Sequence, residues 1–343
     1  MRISNYLFLL LLFSTQVWGA SENLGQFRFS EFSIAPELKI QEPGIGGFQI
    51  QKTYLGFEWM RDESLRGQIW LGSSDLLQSA VWFTPVTRPD LGISEAYLEG
   101  KSSYGEMRAG LLNVLQGYEG VSPEWALVLP ASQAARQGWL MKRDYGLQFR
   151  WTTKPFFTAM TVHNGETGAN SDGKFWYSGA WQYKNSNNAG VLLTASVGNT
   201  KPESTSGSLA QSQHQFNFDP TGTAKIRYAT LTFFKDDERS LFLIEGGRGD
   251  IIQNDIKRPY AWGRADFSFN LGGDLNMLLR YEQTQSNLKE TPTIKKSSSG
   301  GFSIWSKDRL QSVTLYGIHH EEDPKVMNDE YFLIFRLNSR YLH

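Results

Sequence analysis

Two stretches decide the fold: Gly92–Val114, GISEAYLEGKSSYGEMRAGLLNV, and Arg143–Glu166, RDYGLQFRWTTKPFFTAMTVHNGE. Each reads as two strands around a tight turn, Lys101–Tyr104 in the first and Thr152–Pro155 in the second. In the first, Met107, Ala109 and Leu111 fall on one face and Glu106, Arg108 and Gly110 on the other. In the second, Tyr145, Leu147, Phe149 and Trp151 alternate with Asp144, Gln148 and Arg150. A period of two with an apolar and a polar face is the pattern of a strand with different solvents on its two sides. Between the pairs runs Leu115–Lys142, 28 residues without that period. A structureless connection of this length is rare in a compact domain unless it has a function. The strands read as barrel wall, and the connection as a loop able to fold back into the bore.

The rest of the chain repeats the wall. Gln26–Ile40 is a first strand, and Phe48–Met60 and Leu65–Gly72 form a hairpin around Arg61–Ser64. Ser73–Leu91, with Pro85 and Pro89, reads as a surface loop. Lys174–Lys184 sends Phe175, Tyr177, Trp181 and Tyr183 outward, then turns through Asn185–Gly190 into Val191–Asn199. Thr200–Gly222 is a polar loop, and Ala224–Phe234 and Leu241–Gly247 flank Lys235–Ser240. Around Gly272-Gly273-Asp274, Trp262, Arg264, Asp266 and Ser268 alternate with Ala261, Ala265 and Phe267, and Met277, Leu279 and Tyr281 alternate with Asn276, Arg280 and Glu282. Gly/Asp turns of this kind are hairpin chemistry. Ser286–Gly300 reads as a loop, Phe302–Trp305 and Leu310–Ile318 as the last hairpin, His319–Asn328 as a loop and Tyr331–Asn338 as the closing strand. Seven short-turn hairpins with a first and a last strand make about sixteen strands, within two either way, because Ala80–Thr84 and His214–Phe218 could also pair. The fold class is all-β: a transmembrane antiparallel β-barrel with short turns on one side and long loops on the other.

Composition bounds the alternatives. The 34 basic and 35 acidic residues balance, so nothing points to nucleic acid. The 22 Phe, 14 Tyr and 11 Trp stand in a chain of mean hydropathy −0.40, which suits one greasy face bordered by aromatic girdles. Met1-Arg2, the apolar Tyr6–Phe13 and the Val17-Trp18-Gly19 site read as a secretory signal peptide over 1–19, leaving 20–343 as one barrel domain. Cysteine is absent, which excludes disulfides and thiolate metal sites, and no later apolar run reaches the roughly 18 residues of a membrane helix. A soluble secreted β-protein and an aromatic carbohydrate-binding or adhesin surface are the competing classes.

Ala96–Leu112, Arg143–Trp151 and Thr161–Glu166 resemble a Gram-negative porin, and more narrowly the phosphate-selective porin O and P family. The resemblance implies a sixteen-stranded homotrimeric barrel in outer-membrane lipid, with a third loop that narrows each bore and passive passage of small hydrophilic solutes or anions. Two features depart from it. Members line the constriction with basic residues, whereas Leu115–Gln137 holds Glu119, Glu124 and a single Arg136, so phosphate selectivity is not carried over. The chain ends Tyr341-Leu342-His343, where such barrels commonly end on an aromatic residue.

Charge on the polar faces is the main functional signal. Alternation places Arg66, Arg108, Arg150, Lys174, Lys184, Lys225, Arg227, Arg264 and Arg280 there, against Glu106, Asp144, Glu245, Asp266 and Glu282. Nine cations against five carboxylates predict a mild anion preference. The competing expectation is cross-strand ion pairing that only stiffens the wall. Glu119 and Glu124 are expected to face Arg108 and Arg150 across the bore and to set up a transverse field. No cofactor or metal is implied. The five histidines form no H-E-x-x-H and no G-x-S-x-G is present, although His163 beside Asn164 could help a site. The Arg-Gly-Asp at 248–250 reads as a solvated loop, and an oligosaccharide channel or a non-conducting binding barrel remains as the alternative function.

Overall fold

The computed structural model describes residues 25–41, 45–73, 91–121, 129, 131–136, 139–140, 143–165, 173–200, 223–237, 240–286, 293–307, 310–322 and 329–338. The stretch expected as a signal peptide, residues 201–222, Glu124 and the last five residues lie outside them.

Sixteen strands close into one antiparallel barrel. They are β1 (Gln26–Gln41), β2 (Ile45–Asp62), β3 (Leu65–Ser73), β4 (Leu91–Ser102), β5 (Gly105–Asn113), β6 (Arg143–Thr153), β7 (Phe156–His163) and β8 (Trp176–Lys184). The second half is β9 (Ala189–Thr200), β10 (Ala224–Asp237), β11 (Ser240–Gln253), β12 (Ile256–Gly272), β13 (Leu275–Ser286), β14 (Thr293–Trp305), β15 (Gln311–Glu322) and β16 (Glu330–Asn338). Each strand pairs with its sequence neighbours, and β16 returns to β1 from Ser33↔Asn338 to Gln41↔Glu330. Closure removes the edges that an open sheet would expose.

The outward face is apolar to a degree no water-exposed barrel would tolerate. Leu98, Met160, Leu231, Phe233, Ile244, Leu279 and Leu315 are each 40% or more exposed. Phe and Trp gather near the short turns, where Phe149 stacks on Trp151 and Phe267 on Phe269 at centroid distances of 6.3 and 6.0 Å. Toward the other end Tyr145, Phe175, Tyr177, Tyr281 and Tyr331 are exposed. An apolar band between two aromatic girdles is the surface of a transmembrane barrel.

Three stretches depart from the sequence expectation. The Arg-Gly-Asp at 248–250, expected as a solvated loop, lies inside β11, and the two-residue turn Asn254-Asp255 joins β11 to β12. Both turn residues have positive φ, 50° and 61°, the conformation of a type I′ hairpin. The glycines serve packing: a Cβ on Gly247 would stand 2.1 Å from the Trp262 ring, so the bare backbone is a seat for that indole. The polar run before Phe302 belongs to β14, and His319-His320 to β15. Small and hydroxylic residues hide a strand from a pattern search without preventing it from pairing.

Candidate functional site

The described parts of the segment between β5 and β6 lie inside the barrel. They include two short helices, α1 (Gly117–Val121) and α2 (Gln133–Arg136). Gln116 Nε2 donates to Ser196 Oγ at 3.0 Å and Gly117 N to Thr194 Oγ1 at 2.9 Å, both on the inner face of β9. Wall carboxylates then take the free amides at both helix starts, the donors a helix leaves unpaired. Tyr118 N donates to Glu245 Oε2 at 2.6 Å, and Gln133 N to Glu282 Oε1 at 2.7 Å. Ser132 caps α2 by accepting from Ala135 N at 3.3 Å.

Charge completes the attachment. Glu119 is bonded to Arg264 and accepts from Ser132 N at 2.8 Å. Arg264 Nε also stands 3.2 Å from Glu245, and Arg280 binds Asp266 at 2.7 and 2.9 Å. The Arg264, Glu119, Glu245, Asp266 and Arg280 side chains are all 5% exposed or less. Charges this deep are tolerable only as a mutually paired network.

Apolar contacts fill the space around it. Tyr118 packs on Phe234 at 5.5 Å, and Trp139 on Tyr260 and Trp262 at 5.0 and 6.2 Å. Leu129 joins a separate cluster with Leu278, Tyr316, Phe332 and Ile334. The segment therefore covers the inner wall of β9–β13 and reaches the β15–β16 side.

The opposite wall keeps water on its charges. Near the short turns of β1–β6, Arg28 pairs with Glu58 at 2.7 Å, and Arg66 and Arg108 hold the buried Glu99 at 2.6 and 2.7 Å. Lys101 stands 3.6 Å and Arg108 4.0 Å from Glu106, and Arg150 lies over the Phe157 ring at 5.0 Å. Side-chain exposures of 56% for Arg28, 41% for Lys101 and 32% for Arg66 and Glu106 contrast with the sealed network under the segment.

Two sequence expectations need correction. Glu119 does not face Arg108 and Arg150; it is neutralised by Arg264, with Arg280 4.0 Å away, so no transverse field arises from it. Lys225 and Arg227 are outside the barrel, because the inward face of β10 carries Ala224, Ile226, Tyr228, Thr230, Thr232 and Phe234. Arg136 lies in α2, and Glu106, Arg108, Arg150, Arg264 and Arg280 lie on inward faces.

His163 sits in an arrangement that pattern reasoning missed. Its Nδ1 is 2.7 Å from Asp144 and its Nε2 2.8 Å from Ser178 Oγ, which continues to Ser196 Oγ at 2.7 Å and so to Gln116. The order Asp–His–Ser is that of a nucleophile, its base and the group that orients the base. Here Gln116 closes over it, and Asp144, His163, Ser178 and Ser196 are 5% exposed or less, so no substrate carbonyl can reach Ser178. The chain of bonds ties the segment's first residues to the strand that follows it. His163→Phe is expected to lower stability by about 1–3 kcal/mol, the cost of stranding buried polar partners, in a urea titration of heat-modifiable gel mobility. An unchanged midpoint would show that these bonds do not hold the loop. Among the described residues no cluster of three or more His, Asp or Glu is arranged to hold a metal.

The chain matches no protein-family model and no curated protein. Among solved structures it is similar to OmpT, an outer membrane protein of Vibrio cholerae in a trimer form, with 11% identity, TM-score 0.68 and coverage of 92% of this chain and 99% of that one. It is similar to the outer membrane channel DcaP of Acinetobacter baumannii, with 10% identity, TM-score 0.63 and coverage of 93% and 98%. An anion-selective porin from Comamonas acidovorans aligns at 12% identity, TM-score 0.61 and coverage of 91% and 100%. At such identities the likeness is one of fold: a sixteen-stranded barrel of the bacterial porin kind.

Proposed function

We propose that this chain is an outer-membrane porin, a passive water-filled channel for small hydrophilic solutes with a mild preference for anions. The observation that carries the reading is the asymmetry of the bore. The inward segment is fastened to β9–β13, while the β1–β6 wall keeps partly hydrated charges. Near the short turns a passage between the two would run along Arg28, Arg66, Lys101, Arg108 and Arg150, faced by Glu58, Glu99 and Glu106, five cations against three carboxylates in this set, while further along the wall Glu95 stands 3.9 Å from Arg143. Charges lining a narrow path set selectivity at close range. The loop carries no basic cluster among its described residues, which argues against a dedicated phosphate filter. A homotrimer is the assembly that the porin resemblance suggests.

Purified protein in a planar bilayer tests this. Discrete conductance steps are expected, with a chloride-over-potassium permeability ratio of about two to three from reversal potentials in a salt gradient. Replacing Arg28 and Arg150 with Gln leaves three cations against three carboxylates without stranding Glu99, and the ratio should fall to about one. No steps at any salt concentration would favour a closed binding barrel. A cation-selective wild type would overturn the proposed path.

A further inference from the structure

Four outward-facing cations gather at one place on the barrel's outer surface: Lys225 and Arg227 on β10, Arg248 on β11 and Lys257 on β12. Register brings them together, with Arg227 opposite Asp250, Arg248 opposite Ala229, and Lys225 and Lys257 both opposite Ile252. Asp250 is the one carboxylate among them, bonded to Arg227 at 3.0 Å and Lys257 at 3.1 Å. Lys225 and Arg248 have no carboxylate partner among the described residues. Among the described outward residues of these three strands at this height, four cations against one carboxylate leave a local charge of +3.

Height on the barrel says what these cations meet. Below them the outward residues of the same strands are apolar: Leu231 and Phe233 on β10, Phe242 and Ile244 on β11, Phe269 on β12. Arg227 and Lys235 are eight residues apart on β10, roughly 20 Å of height at ~3.3 Å per residue and ~40° of tilt. That approaches the ~25 Å apolar band of such barrels, so Lys235 marks one edge and the cluster the other. Arg227 also shares a register row with Tyr177 of the aromatic girdle, through Val197. Elsewhere on this rim outward charges are matched: Lys296 lies opposite Glu321, and His319 bonds Asp329 at 2.9 Å.

We propose that this patch binds the phosphorylated headgroup of a membrane lipid in the leaflet at the long-connection end, with the acyl chains lying on the band below. Guanidinium groups take phosphate oxygens through paired N–H donors, and lysines add point charge. A zwitterionic headgroup would leave the +3 uncompensated. The proposal is independent of conduction.

The test uses the full folded chain in non-ionic detergent, exposed to micelles doped with a diphosphorylated glucosamine glycolipid or the same lipid with its phosphates removed. Native mass spectrometry counts the lipid retained. The wild type should retain the phosphorylated lipid at about ten times the level of K225Q/R227Q/R248Q/K257Q, the scale of one or two lost charge-assisted hydrogen bonds. Asp250→Asn, which frees Arg227 and Lys257, should retain more than the wild type. If the quadruple variant lacks heat-modifiable mobility, D250N and R248Q carry the comparison in opposite directions. Equal retention by wild type and variants overturns the proposal, as does equal retention of the phosphate-free lipid. Displacement by millimolar inorganic phosphate would overturn the lipid as the source and assign the patch to a free anion.

Discussion

A chain lacking residues 117–135 is expected to conduct several-fold more current than the intact chain and to unfold at lower temperature. The deletion removes α1, most of α2 and the clasp at Glu119, which together cover the inner wall of β9–β13. With that cover gone, the bore gains the cross-section the segment occupied. The cost falls on the wall: Phe234, Tyr228 and Trp262, now buried, would meet lumen water, and Glu245 and Glu282 would lose the amides they accept. Selectivity should move as well. Glu119, Glu245, Asp266 and Glu282 stand against Arg264 and Arg280 on this wall, and the deletion takes one of the four carboxylates. The reversal potential should therefore shift further toward anions. Single-channel recording, with gel mobility against temperature, checks both effects. Unchanged conductance would mean that ions do not pass beside this segment.

Much of the barrel is legible because alternation is a direct consequence of a wall between two solvents. In β12 and β13 the faces are pure enough that parity alone puts Arg264, Asp266, Arg280 and Glu282 on the polar faces, and the structure turns those faces inward. Parity gives two faces, however, and does not say which is inside. In β10 the usual cue is cancelled, because the folded-in segment makes the interior apolar while cations crown the exterior. Ile226, Tyr228 and Phe234 face in and Lys225 and Arg227 face out, the reverse of an open water-filled barrel. The same cover explains the bare backbone at Gly247, where the Trp262 ring lies against the wall. The length of Leu115–Lys142 signals that the segment has work to do, but nothing local in it names Arg264 as the partner of Glu119, 145 residues away. Such a pairing is set by where the segment crosses the bore.

Replacing Glu119 with Ala should loosen the inward segment without unfolding the barrel. Removing one member of a buried ion pair typically costs about 3–5 kcal/mol, because the other charge is left in a poorly solvated site. The lower end applies here, since Arg264 keeps Glu245 at 3.2 Å and Asp266 at 3.9 Å. Ser132 loses its acceptor at the same time, which weakens the start of α2. The sixteen-strand ladder does not use Glu119, so heat-modifiable mobility should persist while the segment opens. Two measurements should then change together: open-channel current noise should rise, and protease added to folded protein should begin to cleave within 115–142. Removing the stranded charge as well, in E119A/R264M, should cost less than the sum of the two single changes, because a shared pair is lost once. Should E119A remain as quiet and as protease-resistant as the wild type, the pair with Arg264 would be a passenger on a segment held by its apolar contacts at Tyr118, Leu129 and Trp139.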